Sequence, residues 1–204
     1  IDKKTLAEFK IRVLVLTYPE HECKLVKDMN YQDEIDFIVT HPKRNEFIKD
    51  LTLALKGNTL VLFQFVEKHG SIIYDMIKSN TDRKVFYVFG GTDTQTREDI
   101  RAITEKERDA IIVASYGTFS TGINIRNLHN IVFSSPSKSR VRTLQSIGRG
   151  LRRSETKDSA ILFDIADDLT YKSKRNFTIN HFMERINIYN EEQFDYEIKR
   201  IKLK

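Results

Sequence analysis

Short runs of Val, Ile, Leu and Phe, apolar at consecutive positions rather than at alternate ones, recur along the middle of the chain. They are TLVLFQF from Thr59, KVFYVF from Lys84, AIIVAS from Ala110, NIVFSS from Asn130 and SAILFDIA from Ser159. A strand with one wet face alternates, whereas a run that is apolar throughout marks a strand covered on both faces. Between the runs, apolar residues return at helical spacing. Ile72, Ile73, Met76 and Ile77 follow the first run, Ile100 and Ile103 lie in a segment starting near Thr94, and a third segment runs from Arg140 to about Leu151. Strands alternating with helices predict an α/β fold, a parallel sheet with helices on both faces. IRVLVLTY from Ile11 predicts a further strand, ahead of polar helical stretches over 23–40 and 43–56. Near the other end, Phe182, Ile186 and Tyr189, and then Phe194, Ile198 and Ile201, recur at i, i+4, i+7 and predict two terminal amphipathic helices. The polar stretch DDLTYKSKRN from Asp167 reads as a linker. The chain thus divides into an entry segment over 1–57, a core over 58–168 and a C-terminal helical extension over 169–204.

A length of 204 residues suits one sizeable core, and 40% hydrophobic with 31% charged residues and three prolines excludes disordered and fibrous classes. No run approaches the ~18 apolar residues of a membrane span, and Ile1 opens no signal-peptide pattern, so a cytoplasmic location without a membrane partner is expected. Cys23 is the single cysteine, which excludes an internal disulfide and a cysteine zinc cluster and leaves packing as its role. The net charge of +5 permits a polyanionic partner. Its distribution says more: Ser137 to Ser154 holds six basic residues and no acidic one (Lys138, Arg140, Arg142, Arg149, Arg152, Arg153).

In parallel sheets, ligands gather at the carboxyl ends of the strands, where loops and helix N-termini present N–H groups. GTFSTG has the glycine spacing of a phosphate-binding loop at Gly117 and Gly122, but Ile123 and Asn124 replace the Lys and Ser/Thr that hold terminal phosphates and magnesium. DEID at Asp33–Asp36 imitates the acidic magnesium motif of ATPases, yet the polar KDMNYQ before it marks a solvated helix start whose carboxylates complement the dipole. Both halves of a self-sufficient ATP site are therefore missing. The acidic cluster Asp164, Asp167 and Asp168 reads as carboxylates solvated or paired to arginines, and His69 has no ligand partner at metal spacing, so no metal site is expected.

Four motifs then fall in order at strand ends. QSIGRGLR resembles motif VI of superfamily 2 helicases, with Gln145, Gly148, Arg149 and Arg152 in register. IIVASYGTFSTGIN resembles motif V, TLVLFQFVEKHG resembles motif IV, and Gly90 followed by Arg97 has the spacing of the family's Gly…Arg segment. Within the superfamily, VASYGTFSTGI, LQSIGRGLR, FDIADD and the early YP and YQDEI are similar to the recombination-repair helicases of T-even-like bacteriophages, which places the expected location in the host cytoplasm. Ser115 stands where many relatives have Thr, and Asn124 where many have Asp.

The resemblance implies the second of two RecA-like motor lobes of an ATP-dependent DNA helicase acting on branched or recombination DNA. The first lobe of the same protein would hold ATP and Mg2+. Arg149 and Arg152, one helical turn apart, would be arginine fingers, and Gln145 would orient toward nucleotide or water. Gly148, with Gly150 beside it, would allow close approach of backbone and phosphate, and Gly122 and Asn124 would lie near the ribose and lobe interface. Ser115, Thr118 and Thr121 would donate to phosphates of a single-stranded or branched DNA. Lys68, His69 and Gly70 would grip another phosphate at the start of a helix. Arg97 reads either as a strand contact or as an ion-pair partner. Two alternatives stay open on these residues: a nucleic-acid-binding module with a degenerate motor fold, and half of an RNA helicase.

Overall fold

The computed structural model describes residues 9–90, 93–116, 127–137, 140 and 160–204. Seven strands form one parallel sheet: β1 (Phe9–Thr17), β2 (Thr59–Phe63), β3 (Val85–Val88), β4 (Ile111–Ser115), β5 (Asn130–Phe133), β6 (Ala160–Asp168) and β7 (Asp195–Lys202), in the order β3-β4-β2-β5-β6-β1-β7. Every pairing is parallel, so all strand carboxyl ends share one rim. The six helices among the described residues are α1 (Glu20–Val26), α2 (Tyr31–Thr40), α3 (Pro42–Ala54), α4 (Ser71–Lys78), α5 (Asp93–Lys106) and α6 (Phe177–Glu191).

All five consecutively apolar runs are strands, four of them for the expected reason, whereas edge strand β3 is only half-buried at every position. All five residues of β2 are buried, with α4 and its neighbours under Val61 and Phe63 and α5 and α6 on the side of Leu60 and Leu62. Each such side chain contributes roughly 1.5–3 kcal/mol on burial. The helical stretch over 23–40 divides at Asn30, whose side chain accepts from the Asp33 N–H and starts α2. Pro42 at its first position and His41 accepting from the Arg44 N–H start α3. Cys23 is buried in the core, as its packing role requires.

Two readings are corrected. The second terminal helix is strand β7: Gln193, at φ 57, ends α6, and the segment bearing Phe194, Ile198 and Ile201 pairs with β1 from Lys10↔Asp195 to Thr17↔Lys202. Without β7, β1 would leave a row of unpaired N–H and C=O groups at the sheet edge, and pairing overrides a local period that fits either element. The C-terminal extension is therefore half helix and half strand, and it shares a sheet with the entry segment through β1. The DDLTYKSKRN stretch is not a linker. Its aspartates end β6, Tyr171 and Lys174 exchange backbone hydrogen bonds, and the buried Asn176 side chain accepts from the Leu169 N–H and donates to Asp167 O and Glu34. The helix read from Arg140 to Leu151 lies outside the described residues beyond Arg140.

Candidate functional site on the carboxyl rim of the sheet

Over β5, β6 and β1 the rim is built on buried charge. Arg44 of α3 is fully buried and grips Asp167 with two N–H groups, Nε to Oδ1 at 2.7 Å and Nη2 to Oδ2 at 3.0 Å, while Nη1 donates to Ser134 O. The Tyr18 hydroxyl donates to the same carboxylate at 2.5 Å. On the opposite face of the sheet, Asp164 accepts from Arg140 Nη1 at 2.9 Å, from Arg185 Nε and Nη2 at 2.9 and 3.0 Å, and from the Tyr189 hydroxyl. Burial alone would push the Asp164 carboxyl up; Arg185 and Arg140 outweigh it and hold the group below its ordinary range. Arg140 also donates to the carbonyls of Ser135, Ile165 and Phe133, so one guanidinium ties the ends of β5 and β6 together.

His69 completes this interior. Asn45 uses its amide N–H toward Val39 O, so its Oδ1 accepts from His69 Nε2 at 3.1 Å, and the neutral ring's Nδ1 accepts from the Ser135 hydroxyl at 2.5 Å. Burial, with Arg44 and Arg140 nearby, lowers the ring's pKa to about 3.

Over β2, β3 and β4 the described residues include exposed and half-buried side chains. Lys68 is exposed on a π-helical turn (Val66–Gly70) and pairs with Asp36 at 3.2 Å. Ser115 ends β4, half-buried and level with Phe63 of β2. Phe89 and Gly90 follow β3, both exposed, and Arg97 lies on α5 with Nη2 3.4 Å from the Thr94 hydroxyl.

Residues 43–154 match the family described as the helicase conserved C-terminal domain, more than half of the chain. The chain belongs to that family. It is also 38% identical to the ATP-dependent DNA helicase UvsW of Enterobacteria phage T4, over 97% of this chain and 42% of that protein. The crystal structure of T4 UvsW matches with a TM-score of 0.84, covering 98% of this chain and 43% of that one. A Sulfolobus solfataricus SWI2/SNF2 ATPase core domain shares the fold at 15% identity and a TM-score of 0.53, over 91% of this chain and 44% of that chain. The chain thus spans less than half the length of the curated relative it matches, and its fold is that of a RecA-like helicase lobe.

In this helicase C-terminal domain, Gln145, Gly148, Arg149 and Arg152 of motif VI, and Gly122, Asn124, Thr118 and Thr121 of motif V, lie outside the described residues. The structure brings Lys68 and Ser115 to one rim and sets Arg97 on the helix after β3. Two expectations for the turn after β2 are corrected. The His69 ring is wholly interior and cannot meet a phosphate, because both nitrogens are engaged beneath the surface. Gly70 is buried with its N–H donated to Phe65 O at 2.8 Å, and a Cβ there would come within 2.6 Å of the Phe63 ring, so the glycine serves close packing. Arg140, counted in the basic run, is withdrawn from it by Asp164.

The pairing of the acidic cluster to arginines is as read, though Asp164 and Asp167 are buried rather than solvated; Asp168 pairs with Arg200. DEID does sit at a helix start, with one exception. Glu34 is buried and accepts from the N–H groups of Phe177 and Thr178 at 2.9 and 2.7 Å, capping α6 from another helix. Arg44, Arg140 and Arg185 were missed as structural residues. For Arg185 a signal exists: it stands on the buried stripe of α6 between Phe182 and Tyr189, where a charge needs a partner.

Proposed function

We propose that this chain is the second motor lobe of an ATP-dependent DNA helicase or translocase acting on branched or recombination DNA. The observation that supports this most is the likeness to a DNA helicase over nearly the whole chain, including β1, α6 and β7, which flank the family's matched stretch. In this reading the first lobe of the same protein carries the phosphate loop and the magnesium ligands. Asp164 and Asp167 are already neutralised by arginines, which makes them poor ligands for a cation. ATP with Mg2+ would supply phosphoryl transfer at the cleft between the lobes.

The residues of this chain divide that work. Arg149 and Arg152 place permanently charged, planar guanidinium groups against phosphate oxygens and stabilise charge developing there, an effect worth ~10³ to 10⁵ in rate in other NTPases. Gln145 orients toward nucleotide or water, Gly148 admits the backbone close to phosphate, and Gly122 and Asn124 border the ribose. Ser115, Thr118, Thr121, Lys68 and Arg97 hold the strand by its phosphates, reading backbone rather than sequence, as a translocase requires. The Lys68–Asp36 pair is exposed and worth no more than about 1 kcal/mol, so a phosphate can replace the carboxylate.

The test is Arg149→Ala in the full-length protein. DNA-stimulated hydrolysis should disappear while ATP binding stays largely intact, because a finger acts mainly in the transition state. Loss of ATP binding with normal turnover by the bound fraction would overturn the assignment. This chain by itself should show no ATPase activity above background, and robust turnover would remove the need for a first lobe.

A further inference from the structure

We propose that Phe89, backed by Tyr87 and Tyr74, is a stacking platform for an unpaired base of the strand. The inference rests on the nucleic-acid reading above and adds a base contact to its phosphate contacts.

Phe89 is among the few large apolar side chains on the surface of the described residues, 46% exposed, and it stands on the carboxyl rim one residue past β3. The exposed phenyl ring is held rather than loose. Its centroid lies 4.3 Å from that of Tyr87. Tyr87 in turn stacks on Tyr74 of α4 at 4.9 Å and 16°, touches Phe63 at 5.7 Å, and donates its hydroxyl to Val66 O at 3.2 Å. The ladder therefore runs from the core to the surface and ends in an exposed ring whose inner neighbour is pinned on three sides. Such backing lowers the ordering cost of binding a flat ligand.

The surroundings favour a nucleotide over a general apolar partner. Val88 pairs with Ala114, so Phe89 is level with Ser115, and register partners in a parallel sheet point to the same face. The turn to which Tyr87 is bonded carries Lys68. A ring for a base thus has a hydroxyl at the neighbouring strand end and a cation on the turn that Tyr87 is bonded to, the combination that binds single strands without regard to sequence. At Gly90, which has φ +80, an added Cβ would meet nothing within 4 Å among the described residues, which leaves room beside the platform.

The experiment uses the full-length protein and a fluorescently labelled oligothymidylate, with a matched oligonucleotide in which the bases are replaced by abasic sites. Phe89→Ala should weaken binding to the base-bearing strand roughly tenfold. Phe89→Trp should restore it, Phe89→Leu should not, and the salt dependence should be unchanged because no charge is removed. On the abasic strand all four proteins should bind alike. Wild-type affinity for Phe89→Leu, or an equal loss on both strands, would make Phe89 a mere apolar wall and overturn the proposal. Lowered ATP turnover with unchanged strand affinity would place the ring against protein and overturn it too. If the wild-type protein binds neither strand, the proposed function fails with it; if wild type binds and Phe89→Ala binds equally, only the stacking fails.

Discussion

The two halves of the carboxyl rim differ in where their side chains spend their chemistry. Over β5, β6 and β1, Asp164 and Asp167 and the arginines and tyrosines that grip them are buried and spend their hydrogen-bonding capacity on one another, and His69 joins this interior from the turn after β2. Over β2, β3 and β4, lysine, serine and phenylalanine are wholly or partly exposed. A buried charge pair is poor evidence of net stabilisation, but losing one member of it is costly. The first half thus has its chemistry committed inward, whereas the second carries Lys68, Ser115 and Phe89 at or near the surface.

The sharpest way to break this contrast is Asp164→Ala, which leaves Arg140, Arg185 and Tyr189 facing an interior without their carboxylate. It should cost about 3–5 kcal/mol in chemical denaturation, whereas Phe89→Ala should change stability by less than about 1 kcal/mol. Equal losses would mean that the two halves are not different in kind.

Acid should act on the committed half first. The His69 ring titrates at about 3 in the fold and near ~6.5 when unfolded, so between these values the unfolded chain binds more protons. The stability owed to the neutral ring is fully present above about pH 6.5 and is lost as pH falls toward 3, by roughly 1 kcal/mol per pH unit. Asp164 has the same sign in a lower window: its contribution is present above ~3.9 and disappears as pH falls through its depressed folded value. Denaturation followed from pH 7 to pH 4 should show the His69 slope, and His69→Gln should flatten it; an unaltered slope would assign the titration elsewhere.

Smaller effects separate capping from surface charge. Glu34→Ala removes the acceptor for two N–H groups at the start of α6 and should cost about 1–2 kcal/mol in thermal or chemical unfolding. Lys68→Ala should leave stability within about 0.5 kcal/mol, yet reduce the salt slope of strand binding by roughly one. A stability loss matching that of Glu34→Ala would make Lys68 a structural residue.

What was legible in the sequence follows from the range of the forces involved. Four buried strands were readable because burial on both faces writes apolar residues at successive positions, the half-buried edge strand β3 carries the same kind of run, and the motifs were readable because their spacing is local. Misreading β7 had a physical cause: Phe194, Ile198 and Ile201 fit a helix as well as a strand, and the deciding interaction is the free edge of β1, far away in the chain. The Arg44–Asp167 and Arg140–Asp164–Arg185 groups join residues brought together only by strand order, so no spacing reveals them. His69 looked available because it follows a motif strand, and only the Asn45 and Ser135 contacts show it facing inward.

The position of β1 between β6 and β7 has a consequence for synthesis of the protein. Within this sheet β1 is made before the two strands it pairs with, β6 and β7, so it must wait, apolar and unsatisfied, while the residues between are translated. The central strands can close meanwhile, but this sheet is complete only when β7 emerges. Nascent chains arrested before β6 should therefore expose an adhesive edge to chaperones, and the emergence of β6 and β7 should be the step that hides it.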